Sequence, residues 1–252
     1  PNPFYQTYEG AALLRGADVR FVNCGPDTDY LPDYRALSDG EWQRCELLYL
    51  CSPGNPTGRT LPLSELMWLL EQADRHDFII AADECYSEIF ADESSPPAGL
   101  LEAAARTGRE DYRRCVVFHS LSKRSNLPGL RSGFVAGDPR VLADYFKYRT
   151  YHGCAMPNHV QAASAAAWGD DEHVVANRAE YRRKFQLVTP ILESVLPVKA
   201  PEGGFYHWAA TPEDDQTFAR ELFAARNITV LPGSFLGREA NGLNPGRNHV
   251  RI

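Results

Sequence analysis

A lysine and an arginine eight residues apart, set among hydroxyls, are the side chains in this sequence best suited to chemistry. They lie in His119-Ser120-Leu121-Ser122-Lys123-Arg124 and the following Gly129-Leu130-Arg131-Ser132-Gly133. An amine serves as nucleophile or base, and hydroxyls beside a guanidinium suit an anion. Two more stretches carry comparable groups: Ser52-Pro53-Gly54-Asn55-Pro56-Thr57-Gly58 and Asp83-Glu84-Cys85-Tyr86. Each group alone has an ordinary explanation. A lysine is usually solvated, an asparagine tolerates turns, an aspartate caps helices and a tyrosine packs in cores.

The elements that must position these groups tie them together. Cys115–Phe118 is an apolar run that reads as a buried parallel strand, which puts Ser120 and Lys123 just beyond its carboxyl end. Cys45–Cys51 and Phe78–Ala82 read as strands running into the Asn55 loop and into Asp83. Leu63–Arg75 has helical periodicity and reads as a crossover helix, and Pro97–Arg106 supplies another. Gly133–Gly137 reads as a further strand. The alternation predicts an α/β fold with a doubly wound, mainly parallel sheet, and ligands of such sheets bind at the carboxyl ends of the strands. Asn55, Asp83 with Tyr86, Ser120 to Lys123, and Arg131 are therefore expected on one edge.

Other elements are expected around this frame: a helix over Glu9–Arg15, a strand at Val19–Asn23, and helices near 139–151, 157–168 and 172–195. Beyond about residue 180 the rhythm changes to Val198–Ala200, Gly204–Ala209, a helix over 215–226, Ile228–Leu231 and a last strand at 248–252. That pattern predicts a large domain over 1–180 and a smaller, partial α+β domain over 181–252.

Pyridoxal phosphate needs the set of groups collected on that edge. Its aldehyde takes a lysine, here Lys123, as a Schiff base. Its ring nitrogen is kept protonated by a carboxylate, here Asp83, and its phenolate accepts from Asn55 and Tyr86. Its phosphate takes Ser120, Ser122 and the forked Arg131. Rival motifs fare worse. Ser120-Leu121-Ser122-Lys123 matches the S-x-x-K of serine acyl enzymes, but neither S-D-N nor K-T-G accompanies it. Gly54–Gly58 lacks the G-K-[ST] of a P-loop, and no G-x-G-x-x-G or H-E-x-x-H occurs.

The bulk properties point the same way. A formal charge of −7 with no basic cluster argues against nucleic acid and against an acidic membrane surface, leaving small molecules as partners. No run of 18 apolar residues exists. Six scattered cysteines without a C-x-x-C pair read as reduced thiols of a cytoplasmic protein, and no metal site is expected.

With these motifs in view, the sequence resembles the class I and II aminotransferases, fold-type I pyridoxal phosphate enzymes, over essentially its whole length. Asn55-Pro-Thr-Gly58, Asp83-Glu-Cys-Tyr86, Ser120-x-Ser-Lys123, Gly129-x-Arg131-x-Gly133, Gly203-Gly-Phe-Tyr206, Pro232-Gly-Ser-x-x-Gly237 and His249-Val-Arg251 occur in the family's order. The resemblance implies Lys123 as the catalytic amine, Tyr5 as an aromatic ring stacked on the cofactor, Asn55 touching both cofactor and substrate, and Arg251 binding the substrate α-carboxylate. It implies amino-acid and 2-oxo-acid substrates and a homodimer for the full-length enzyme. It also implies that the chain is an internal fragment, lacking an upstream glycine-rich phosphate turn. The wording around Cys51–Gly58, Ser120–Asp138 and Glu202–Tyr206 is most similar to family members acting on N-succinyl-LL-2,6-diaminopimelate in lysine biosynthesis. Other class I substrates, a carbon–sulfur lyase on the same scaffold and an aminotransferase-like domain of a transcription regulator are the alternatives.

Overall fold

Three apolar runs become neighbouring strands of a sheet whose carboxyl ends carry the chemistry-bearing stretches. The computed structural model describes residues 1–252. In chain order the elements are α1 (Thr7–Leu14), α2 (Asp39–Trp42), β1 (Leu47–Cys51), α3 (Leu63–His76), β2 (Ile79–Asp83), α4 (Leu100–Arg106), β3 (Cys115–Ser120) and α5 (Leu121–Arg124). There follow β4 (Gly133–Gly137), α6 (Pro139–His152), α7 (Asn158–Trp168), α8 (Glu172–Glu193), β5 (Trp208–Ala210), α9 (Asp215–Arg226), β6 (Leu231–Pro232) and β7 (His249–Arg251). By contacts the chain falls into two compact units. Ser38–Pro53 and Thr60–Tyr181 form the first; Pro1–Leu37, Gly54–Arg59 and Arg182–Ile252 form the second.

In the first unit the strands lie in the order β1-β2-β3-β4, with β1, β2 and β3 parallel and β4 antiparallel to β3. Leu50, Ile80, Ala82, Cys115 and Val117 are buried, as continuous apolar strands of a covered parallel sheet should be. Two successive right-handed crossovers that step the same way along a sheet put their helices on one face. Accordingly α3 and α4 pack on each other. Leu66, Leu69, Leu70 and Ala73 of α3 are buried at the spacing of one helical face. Pro62 gives α3 no side-chain cap. A missing cap costs about 1 kcal/mol, whereas each buried leucine contributes about 1.5–3 kcal/mol, so packing decides this helix.

Two short helices were not foreseen. α2 is closed by a capping box in which the Ser38 hydroxyl accepts from Glu41 N–H and the Glu41 carboxylate accepts from Ser38 N–H. It buries Trp42, whose ring stacks on Phe78 at 5.3 Å. The Ser-x-x-Glu spacing was the available signal. α5 is a single turn, and it carries Lys123.

In the second unit β7 lies between β5 and β6, both antiparallel to it. Two expected strands are absent. Val19–Asn23 is reduced to one bridge, Asn23 with Asn2, although Phe21 does pack on Phe4. Asn2 makes both bonds of that bridge, donating to the Val22 carbonyl and accepting from Cys24 N–H, and the next available donor, Phe4 N–H, is taken by the Leu236 carbonyl, so the pairing goes no further. Val198–Ala200 forms no strand, and the stretch expected at Gly204–Ala209 is strand only from Trp208 to Ala210, with His207 exchanging both backbone hydrogen bonds with Ile252 at its edge. No helix is long and apolar enough to cross a membrane.

Candidate active site

The first unit assembles six of the singled-out groups around the ends of β2 and β3. Asp83 closes β2, in register with Cys51 of β1 and Phe118 of β3. Its Oδ1 accepts the Cys85 N–H at 3.0 Å, an Asx-type turn that fixes the carboxylate at the strand end. Burial pushes the Cys85 thiol far up; Asp83's charge and hydrogen bond push it further, and Lys123 acts in the opposite sense. Asp83 and Lys123 thus both lie within electrostatic reach of Cys85.

Glu84 turns the other way. Its buried carboxylate accepts from Leu100 N–H at 2.7 Å, capping α4, and lies 3.1 Å from His119 Nε2. Within Asp83-Glu84-Cys85-Tyr86 the first acid faces the strand ends and the second braces a crossover helix.

Tyr86 is buried, and the Lys123 Nζ stands 5.7 Å from its ring centroid. Ser120, the last residue of β3, caps α5 by accepting from Ser122 N–H at 3.1 Å, and its Oγ lies 2.9 Å from Ser122 Oγ. On α5, Leu121 and Arg124 are buried three residues apart, so the turn is anchored on one side while Lys123 leaves it elsewhere. The Arg124 guanidinium donates to the Ala167 carbonyl at 2.8 Å, pairs with Asp171 and stands over the Trp168 ring at 5.1 Å. Sequence reasoning passed over Arg124; its partners lie more than forty residues away, and nothing local marks it.

Arg131 is exposed and left-handed at φ 52°, closing a 3-10 turn, with Nη1 donating to the Pro128 carbonyl at 2.8 Å. Its neighbour Ser132 ties this turn to α5, since Leu121 N–H donates to the Ser132 carbonyl at 3.1 Å.

The second unit holds Asn55, Arg251 and Tyr5. Arg251 Nη1 donates to Asn55 Oδ1 at 2.8 Å, and its guanidinium lies 4.2 Å over the Tyr206 ring. A planar cation fixed by an amide and an aromatic face keeps a fork of donors for a carboxylate. Tyr206 was noted only as part of a motif; the cation–π contact is what gives it a place here. Tyr5 is 47% exposed and meets Tyr8 edge-on at 5.9 Å.

Next to Arg251 in the strand, His249 is buried and stacks on Trp208 at 5.1 Å. Its Nδ1 lies 2.9 Å from the Arg247 carbonyl and its Nε2 3.0 Å from the Tyr30 hydroxyl. A carbonyl can only accept, so Nδ1 carries the proton and Nε2 accepts from Tyr30, a neutral ring. Burial lowers the pKa of His249 and likewise of His207. The unfolded chain then binds more protons just below the ordinary histidine value of 6.5, so stability is full above that pH and is lost as pH falls through it. The urea midpoint is expected to drop between pH 7.5 and 5.5, and His249→Gln is expected to flatten that dependence.

Known proteins share this fold. The family model described as aminotransferase class I and II matches residues 1–252. The chain belongs to the class I and II aminotransferase family. It is 31% identical over 245 residues to the LL-diaminopimelate aminotransferase of Maridesulfovibrio salexigens, covering 96% of this chain and 62% of that protein. Among solved structures, an aminotransferase from Neisseria meningitidis superposes with a TM-score of 0.93 at 50% identity, covering 100% of this chain and 64% of that one. A probable N-succinyldiaminopimelate aminotransferase from Thermus thermophilus gives a TM-score of 0.85 at 26% identity over 99% of this chain and 64% of that one. The chain thus spans less than two thirds of the length of these relatives.

Members of this family use pyridoxal phosphate. The donor set of the first unit fits it: an amine near a phenol ring, a carboxylate within reach of the same thiol, and two hydroxyls at the start of a helical turn.

Proposed function

We propose that the protein is a pyridoxal phosphate-dependent aminotransferase that moves an amino group between glutamate and a 2-oxo acid, with N-succinyl-LL-2,6-diaminopimelate as the amino-acid product. The observation that carries the reading is Lys123, presented on an anchored turn beside the Tyr86 ring, just beyond the strand whose neighbour ends in Asp83. The relative named for LL-diaminopimelate supports the diaminopimelate class, and the neighbour named for N-succinyldiaminopimelate supports the succinylated form.

When bound, pyridoxal phosphate supplies an aldehyde that condenses with amines and a ring that accepts an electron pair. The protein supplies the rest. Lys123 would hold the aldehyde, and its Nζ, once freed by an amino acid, would take the proton from the substrate Cα and return it across a 1,3-shift. Asp83 would keep a positive charge on the ring nitrogen by charge pairing, and Tyr86 and Asn55 would serve as donors to the ring oxygen. Ser120, Ser122 and Arg131 would hold the phosphate, and Tyr5 would supply an aromatic face for the ring. Arg251, oriented by Asn55 and Tyr206, binds the α-carboxylate through its fork.

A homodimer is part of the same reading. α6 buries none of its residues, yet Phe146 is 76% and Tyr151 is 79% exposed, with Tyr145 and Tyr148 exposed beside them.

A half-reaction screen of the intact enzyme tests the proposal. Glutamate and N-succinyl-LL-2,6-diaminopimelate are each expected to yield their 2-oxo acids stoichiometrically with loss of the cofactor's aldehyde absorbance, ahead of aspartate, alanine and aromatic amino acids. Pyruvate and ammonia released from a cysteine conjugate, without transfer, would instead assign a lyase. Turnover of none of these would point to a binding domain.

A further inference from the structure

The residue after Asn55-Pro56-Thr57-Gly58 is an arginine for which the proposed chemistry has no use. Arg59 Nη2 pairs with Asp29 Oδ2 at 2.6 Å, and Nη1 pairs with Glu202 Oε1 at 2.8 Å. Both acids belong to the same unit as Arg59, on segments that precede and follow it by 30 and 143 residues. Its side chain is 23% exposed, so the pairs are only partly screened. Lys199 also approaches Asp29, but at 3.8 Å and 85% exposed it adds little.

What those segments carry gives the pairs a meaning. Around Arg59 the loop is closed on itself, with Gly54 N–H donating to the Arg59 carbonyl at 2.8 Å and Gly58 N–H to the Gly54 carbonyl at 2.7 Å. Gly58 sits at φ 69°, where a Cβ would come within 2.4 Å of the Pro201 Cβ, so the loop lies hard against the segment that follows α8. The Gly58 carbonyl accepts from both Glu202 N–H and Gly203 N–H at 3.0 Å. One end of this double-loop arrangement presents Asn55, the acceptor for Arg251. The other leads within four residues of Glu202 to Tyr206, the ring beneath Arg251. Backbone bonds fix the two loops at one point only, Gly58; the Arg59–Glu202 pair adds a second point between them, and the Arg59–Asp29 pair ties the first loop to a third segment and so holds the guanidinium in place.

We infer that Arg59, bridging Asp29 and Glu202, is a positioning residue that holds Asn55 and Tyr206 at the distance at which they orient Arg251 for a substrate carboxylate. This rests on the assignment of Arg251 as the carboxylate anchor. Arg59 does not touch the substrate: both of its terminal nitrogens are taken by protein carboxylates. An anchor that grips the α-carboxylate grips it alike before and during reaction, so loosening it raises KM and leaves kcat nearly untouched.

The experiment measures KM and kcat for glutamate and 2-oxoglutarate in the intact enzyme, together with calorimetric affinity for 2-oxoglutarate. Arg59→Met is expected to raise both KM values and the dissociation constant about fivefold, with kcat within about twofold. Arg59→Lys, a point charge that reaches one acid at a time, is expected to fall between. Asp29→Asn combined with Glu202→Gln should match Arg59→Met, and adding Arg59→Met to that pair should change nothing more, the non-additivity of one shared device. Unchanged KM in Arg59→Met and in the double acid variant, while Arg251→Lys raises KM, would overturn the inference and leave the aminotransferase reading standing. Unchanged KM in Arg251→Lys as well would remove the carboxylate anchor and the inference with it. Should Arg59→Met fail to fold, Arg59→Lys and the double acid variant decide between the same outcomes.

Discussion

Lys123→Ala is expected to lower turnover by about 10⁴-fold or more, the scale of a lost general base compounded by a lost covalent attachment. The structure makes this a chemical test and not a folding one. Lys123 lies on a turn whose fixed points are its neighbours, Leu121 fully buried and Arg124 tied to Ala167, Asp171 and Trp168. Alanine is the best helix former, so the turn keeps its conformation, and stability is expected to stay within about 0.5 kcal/mol. The variant should retain its melting temperature, lose the adduct that borohydride traps at Lys123 in the wild type, and lose transfer from glutamate. Retained turnover in Lys123→Ala would end the assignment of this amine as the reacting group.

How far the sequence could carry the reading depends on how local each cause was. The strands carrying Asp83 and Ser120 were legible because apolar runs of strand length end at hydroxyls, acids and turn formers, a pattern written within a few residues. The failed strand at Val19–Asn23 shows the limit: its alternation is real, but its pairing stops at Asn2 because the next donor, Phe4 N–H, goes to the Leu236 carbonyl, far along the chain. Lys123, Asp83 and Tyr86 were found because their chemistry names them. Arg124, Tyr206 and Arg59 were not, since each acts through a residue distant in sequence: Asp171, Arg251, and Asp29 with Glu202. A side chain that positions another leaves no mark in spacing, because its partner is chosen by the fold.

Asp83→Asn carries the second-largest expected effect, a fall of about 10²-fold in the rate of Cα proton removal, the scale on which a single preorganised electrostatic contact acts in an excluded site. Asparagine has the same shape and keeps an oxygen to accept the Cys85 N–H, so the turn after β2 survives. What disappears is the negative charge that holds a proton on the ring nitrogen. Without it the ring is a poorer electron sink, and Lys123 must remove a less acidic proton. The same substitution has a readout that needs no turnover. Asp83 is one of the groups that push the Cys85 thiol up, so its neutralisation lowers that pKa, although burial, the largest cause, still keeps it above the ordinary range. Alkylation of Cys85 at a fixed alkaline pH, followed by peptide mass spectrometry, is therefore expected to be faster in Asp83→Asn than in the wild type. Slow transfer with faster alkylation is the combined signature of a charge acting from that strand end. Wild-type transfer rates would show that the carboxylate does not serve the ring, and unchanged alkylation would show that it does not face the thiol beside Lys123.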